Sequence, residues 1–212
     1  MSKILVISPH PDDDVIGCGG TIAKHIKKKD SVIVAIVSYF GSREREREAV
    51  KVAKLLKYEV TFLRLKEPIL YNEKNLRAFI KLIRKFSPDI VYSPHKKEKD
   101  RDHRNCNDII SEALWMAGVD VYLEEGAKLK KEIFAFLEYE VWTPFEDFNF
   151  CVDISDFIKL KESAINIHLS QTSDRDYASG IIGLNKYRAV MKKCGSYAEV
   201  FNIRWIKSQI LF

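Results

Sequence analysis

Long apolar runs are missing from this sequence: no stretch approaches the roughly 20 residues a membrane helix needs, and none has the layout of a signal peptide. A cytoplasmic location is expected. Cysteine is scarce and dispersed. Cys18, Cys106, Cys151 and Cys194 form no Cys-x-x-Cys pair, which excludes a cysteine-rich structural zinc site and a dithiol redox centre and leaves free thiols as the reading. Charge of one sign is not in large excess either, since 35 Lys plus Arg face 30 Asp plus Glu for a net +5. The basic runs Lys27–Lys29 and Lys96–Lys99 read as solvated helix ends or loops, and no interleaved aromatic and basic pattern accompanies them. Nucleic acid is therefore not an expected partner. Repeats and low-complexity segments are absent as well.

What the chain does contain is apolar residues in short, regularly spaced runs. A chain of 212 residues that is 46% hydrophobic can build one substantial core but not two large ones, so a single domain over residues 1–212 is expected. Ile4–Ser8, Ser31–Tyr39, Val60–Leu65 and Ile90–Ser93 read as buried strands. Between them, Ala49, Val52, Ala53 and Leu56 share one face of a helix over Arg43–Leu56, and Leu76, Phe79, Ile80 and Ile83 do so over Asn75–Phe86. Ser87-Pro88-Asp89 stops the second of these. A helix over Asn107–Met116, a strand over Glu132–Val141, a turn at Thr143–Asp147, a strand near Phe150–Ile154 and a helix from Asp156 to His168 complete the pattern. Such alternation predicts βαβ units and an α/β fold, a Rossmann-like three-layer sandwich with a mostly parallel sheet. Ligands of open parallel sheets bind beyond the carboxyl ends of the strands, so chemistry is expected just after Ser8 and just after Ser93.

The first of these places holds His10-Pro11-Asp12-Asp13-Asp14. Carboxylates so close together repel and raise one another's pKa, whereas a divalent cation favours their ionised forms and accepts a neutral imidazole too. The alternative is plain: one Asp caps the next helix and the others are solvated. Gly17-Cys18-Gly19-Gly20 does not make a dinucleotide loop, because the Gly-x-Gly-x-x-Gly spacing is missing and phosphate would meet three carboxylates. Close packing of the first helix on the sheet explains these glycines better. The second place runs from His95 to His103. In a parallel sheet it shares an edge with the His10 turn, so His10, His103 and one Asp would offer two nitrogens and one oxygen. That donor set suits catalytic zinc with a fourth position for water, whose pKa zinc lowers to roughly 7, and a second carboxylate is then free to act as base.

These residues resemble the PIG-L/LmbE family of zinc-dependent deacetylases. The signature stands here as Pro9-His10-Pro11-Asp12-Asp13-Asp14-Val15-Ile16-Gly17-Cys18-Gly19-Gly20, directly after a strand. Arg45-x-x-Glu48, Ser87-Pro88-Asp89-Ile90-Val91, Asp102-His103, Lys161-x-x-Ala164-x-x-x-His168-x-Ser170-Gln171 and Tyr197-Ala198-Glu199-x-Phe201 follow in family order, so the likeness spans nearly the whole chain.

The resemblance implies Zn2+ held by His10, Asp13 and His103, with Asp12 as general base and Arg45 at a substrate-binding position, where Arg43 and Arg47 are rivals in the same repetitive helix start. It implies hydrolysis of an acetamide on an N-acetylated sugar conjugate. Two departures stand out: Asp14 replaces a Glu that supports the site from behind, and Asp100 replaces a histidine that steadies the oxyanion, where an ionised carboxylate would oppose negative charge. Either His95 swings in instead, or zinc alone polarises the carbonyl, or the activity is altered. His168 either approaches the substrate or makes a structural bond near a helix end. Tyr39, Tyr71, Trp142 and Phe145 either form a sugar-stacking wall or pack at strand ends. A non-hydrolytic sugar- or nucleotide-binding module is the rival function, while a nucleotide-sugar transferase would need a phosphate-binding loop that is not found. The sequence leaves the oligomeric state open, a homo-oligomer included.

Overall fold

The computed structural model describes residues 1–173 and 175–207. Strands β1 (Lys3–Ser8), β2 (Ser31–Ile36), β3 (Glu59–Phe62), β4 (Ile90–Pro94), β5 (Ala135–Tyr139), β6 (Phe150–Asp153) and β7 (Ala198–Ile206) make one seven-stranded sheet in the order β3-β2-β1-β4-β5-β7-β6. The pairings among β1 to β5 are parallel, and β7 runs antiparallel to both β5 and β6. Helices α1 (Asp13–Lys27), α2 (Arg43–Leu56), α3 (Glu73–Phe86), α4 (Arg101–Met116), α5 (Ile158–Ile165), α6 (Leu169–Thr172) and α7 (Tyr177–Lys192) cover it on two sides.

The period-2 alternation of β1 explains the layering. Ile4 and Val6 face a core shared with Val15, Ile16 and Ile22 of α1 and Val52 and Leu56 of α2. Leu5 and Ile7 face the other core, with Phe79, Ile80 and Ile83 of α3 and Ile109 and Ile110 of α4. Both faces of the strand are thus removed from water, as a parallel sheet requires. Phe79 is fully buried, so truncating it to alanine would cost about 3–5 kcal/mol. Local chemistry marks the ends of α3: Asn72 accepts from Asn75 N at its start, and Ser87 turns left-handed at φ 51 just before Pro88. In α1, a Cβ on Gly17 would run into the Tyr139 ring and one on Gly20 into Ile154, which is the close packing expected of the glycine run.

Several boundaries differ from the sequence reading. Helix α4 begins at Arg101 rather than Asn107, because Asp100 caps it, and His103 therefore sits in a helical first turn and not in a loop. The expected strand over Glu132–Val141 is trimmed to β5. The expected helix from Asp156 to His168 breaks after Ile165, and His168 precedes the short α6. Helix α7 and strand β7 escaped the periodicity. The buried positions of α7 include Asn185 and Arg188, while Val190 and Met191 are exposed, so no apolar stripe marks it. In β7 a register shift opposite Phe136/Leu137 places Ile203 and Trp205 against different cores, which disrupts simple alternation.

Candidate metal and catalytic site

Strand order reverses at β1, with β2 on one side and β4 on the other, and the segments leaving the carboxyl ends of β1 and β4 meet there. After β1 the chain folds tightly on itself. Ser8 Oγ lies 2.6 Å from the His10 carbonyl oxygen and accepts from Asp14 N, and His10 N donates to Asp13 Oδ2 at 2.8 Å. Asp12 is held at φ 115, a region that non-glycine residues rarely adopt, and strain of this kind concentrates at functional sites. Its main-chain carbonyl accepts from Val15 and Ile16, but its carboxylate caps nothing.

This turn brings His10 and Asp13 to His103 of α4. The three side chains can each offer a ligand atom, all within 4.8 Å of one another, and all three residues are buried. His103 Nε2 lies 3.1 Å from Asp13 Oδ2 without making a hydrogen bond, and His10 Nε2 lies 3.5 Å from Asp102 Oδ2. Among the described residues, the buried side-chain nitrogens and oxygens that lack a hydrogen-bond partner are His10 Nε2, Asp13 Oδ1, both ring nitrogens of His103 and of His168, Arg45 Nε and Asn185 Oδ1. All but the last belong to this region. Buried polar atoms are ordinarily satisfied, so the concentration of orphans at two imidazoles and a carboxylate fits a metal ion bound by two nitrogens and one oxygen.

The electrostatics agree. Burial opposes a charged His10, yet the Asp102 and Asp13 carboxylates outweigh it and raise its pKa to about 10. Burial opposes protonation of His103 as well, and Asp13 again raises it. Burial likewise opposes ionisation of Asp13, but the two histidines hold it below the usual carboxylate range. The pocket is thus built for positive charge. Asp12 goes the other way: burial and the neighbouring Asp13 push it well above the ordinary range, against Arg45 and His10.

Asp14 turns away from the cluster: its carboxylate accepts from Tyr58 OH at 2.8 Å and lies 3.3 Å from Ser8 Oγ, its main-chain N donates to Ser8 Oγ, and burial raises its pKa to about 6. Arg45 is half-buried where Arg43 and Arg47 are exposed. Its guanidinium lies 4.7 Å from the Phe40 ring centroid, and Phe40 stacks on His10 at 5.0 Å and 17°. Of the three rivals, then, Arg45 reaches the site.

Two expectations are corrected. His95 does not swing in: its Nε2 lies 2.8 Å from Thr143 O and its Nδ1 accepts from Lys97 N, so neither ring nitrogen is left for substrate. Asp100 does not face a developing oxyanion; its carboxylate accepts from Asp102 N and His103 N as the cap of α4. The four aromatic candidates also disperse. Tyr39 meets Phe62, Trp142 meets Tyr177, Phe145 is buried against His95, and Tyr71 is exposed. They are rim and core packing, not a shared wall.

Glu98 went unnoticed in the sequence, hidden in a lysine run. It is buried, accepts from the main-chain nitrogens of Val141, Trp142 and Thr143, and sets a carboxylate oxygen 3.9 Å from His103 Nδ1. Burial opposes its ionisation, but His95, Val141 N and His103 together lower its pKa. Carboxylates behind ligating imidazoles fix ring orientation and basicity. The only available signal was a lone acid among lysines, which more often means a solvated loop.

A family model for PIG-L, described as GlcNAc-PI de-N-acetylase, matches residues 5–114. A diacetylchitobiose deacetylase from Thermococcus kodakarensis is 27% identical over 202 residues, spanning 81% of this chain and 70% of that protein. Among solved structures, an N,N'-diacetylchitobiose deacetylase from Pyrococcus horikoshii is similar with a TM-score of 0.85 at 26% identity, covering 95% of this chain and 83% of the other. A 4-carboxy-2-hydroxymuconate hydratase from Pseudomonas putida reaches 0.86 at 21% identity with 98% of both chains covered, a likeness of fold alone. The fold hosts more than one reaction, so the site must decide.

Proposed function

The chain belongs to the PIG-L family, whose model matches more than half of it, and from that premise we propose that it hydrolyses the N-acetyl group of an N-acetylglucosamine-type sugar or conjugate, releasing acetate and a free amine. The observation that carries this reading is the convergence of His10, Asp13 and His103, with unpartnered buried ligand atoms, next in the chain to Asp12, whose backbone is strained and whose carboxylate caps no helix nitrogen. Those three residues would hold a divalent ion, and two imidazoles with one carboxylate favour zinc. Such an ion supplies Lewis acidity, activating water and polarising the amide carbonyl.

The chain's own groups do the rest. Asp12 accepts a proton from the attacking water as its oxygen bonds to the carbonyl carbon. The same carboxyl then gives that proton to the nitrogen as the C–N bond breaks, leaving acetate and amine. A base that must hold and return a proton gains from burial, which opposes the ionised form of the Asp12 carboxylate. Glu98 keeps the His103 ring in place. Arg45, buttressed by Phe40 and Gln171, offers a cation to the sugar or its conjugate.

The test is acetate release across a panel of N-acetylglucosamine conjugates, with metal analysis and a chelator control. Acetate produced in proportion to bound metal, and abolished by chelation, supports the reading. Stoichiometric metal without acetate from any conjugate would leave a sugar-binding module in its place.

A further inference from the structure

His103 and His168 are the histidines with both ring nitrogens buried and unpartnered among the described residues. For His103 the metal site would take Nε2, and Nδ1 faces the Glu98 carboxylate at 3.9 Å. For His168 nothing in the protein plays either part, although it is only 1% exposed. An imidazole so enclosed without a partner points to one that comes from outside the chain.

Its backbone is firmly placed. His168 O accepts from Gln171 N and Thr172 N, and the turn that follows is tied to α2, with Ser170 N and Oγ both donating to Glu48 and Arg45 donating to Gln171. Arg45 lies over Phe40, and Phe40 stacks on His10, so a continuous set of contacts joins this turn to the metal cluster. The charged groups that bear on His168 are Glu48 and Arg45 of α2 and Asp13 of the cluster itself. Burial pushes its pKa down to about 4, so at neutral pH the ring is uncharged, with one N–H to give and one lone pair to accept.

We propose that His168 donates a neutral N–H hydrogen bond to the oxygen of the scissile amide, stabilising the negative charge gathered there as water adds to the carbonyl carbon. No proton leaves the ring. The water's proton passes to Asp12 and then to the departing nitrogen, so His168 acts as an oxyanion donor and not as an acid. A fixed donor shielded from water, aimed where charge develops, typically contributes about 10²–10³ in kcat.

The proposal rests on the deacetylase reading for its reaction, and its test separates the two. Zinc-loaded protein labelled with 15N-histidine is titrated with sodium acetate, the product whose carboxylate oxygen occupies the place of the amide oxygen. The His168 resonance, identified by its loss in His168→Leu, is expected to move, and acetate affinity is expected to fall about tenfold in that variant with zinc stoichiometry and Tm unchanged. On a substrate the wild type hydrolyses, His168→Leu is expected to lose about 10²–10³ in kcat with KM nearly constant, and His168→Gln, which keeps a neutral donor, to recover at least about tenfold of it. An unmoved resonance with unchanged acetate affinity overturns the proposal, as does full kcat in His168→Leu. Should the wild type hydrolyse no N-acetylated sugar, the substrate reading fails while the acetate titration still decides the role of His168.

Discussion

Helix α1 carries two buried charged clusters that end very differently. At its start, His10, Asp13 and His103 crowd together with ring nitrogens and a carboxylate oxygen unpaired. Farther along, Lys161 Nζ donates to Ile16 O and Glu199 Oε1, and Glu199 also accepts from Gly20 N, Thr21 N and Thr21 Oγ1. Neither Lys161 nor Glu199 leaves a buried atom without a partner. That second cluster sits beside the kink of α1 at Cys18, where regular helix bonding lapses, and ties the helix to α5 and β7. Arg84 behaves in the same way, donating to the main-chain carbonyls of Met116, Ala117, Val119, Val121, Tyr122 and Gly126. Burial of charge alone is thus no mark of function. What sets the first cluster apart is incomplete satisfaction of several neighbouring groups at once, since each unpaired buried group costs stability unless a ligand offsets it.

The comparison is most severely tested at Asp12. Asp12→Asn is expected to bind metal at wild-type stoichiometry and to lose about 10²–10⁴ in acetate release, read by metal analysis beside a single-substrate rate. On the structural side, Lys161→Met strands Glu199 in the core and is expected to cost about 3–5 kcal/mol in a denaturant titration, while the protein that remains folded keeps its metal. If that variant instead lost metal at full stability, the two clusters would not be separable.

A smaller effect comes from pH. The unfolded His168 titrates near 6.5, whereas burial holds the folded one down to about 4. Above pH 6.5 both states are neutral; as pH falls from there toward 4 only the unfolded chain takes up the proton, so folding is progressively disfavoured by about 3 kcal/mol. Metal-free wild type is expected to show that loss and His168→Gln to be flatter over the same window, measured as the difference between their stability curves. The smallest expected change is at Glu98, which joins both kinds of cluster by serving three main-chain nitrogens and backing His103. Glu98→Gln is expected to weaken metal binding about 10–100-fold in a chelator competition while leaving the fold intact.

How much of this was legible beforehand follows from the range of each interaction. The buried strands and the stripes of α2 and α3 were readable because each is a local period of apolar residues. The acidic turn was readable because its carboxylates are neighbours in the chain, and His103 because a parallel sheet sets the segment after the fourth strand on the same edge as that turn. Glu98 was not, since its partners Val141, Trp142 and Thr143 lie on a different strand end. Nor was the release of His95 and Asp100 to structural roles, because a side chain's partners are unknown until the chain has folded around it. Helix α7 stayed hidden for a related reason: Arg188 is buried against Glu140, a pairing that no period announces.

By itself, then, the sequence determined the alternating architecture and the chemical character of the turn after β1, both of which depend on residues close together along the chain. Tertiary structure alone decided which imidazoles stand free and which are engaged, that Arg45 and no neighbouring arginine approaches the cluster, and that His168 is buried beside it without a partner. Those outcomes depend on where distant segments meet, and a hydrogen bond accepts or rejects a partner on distances of a few tenths of an ångström that no local pattern encodes.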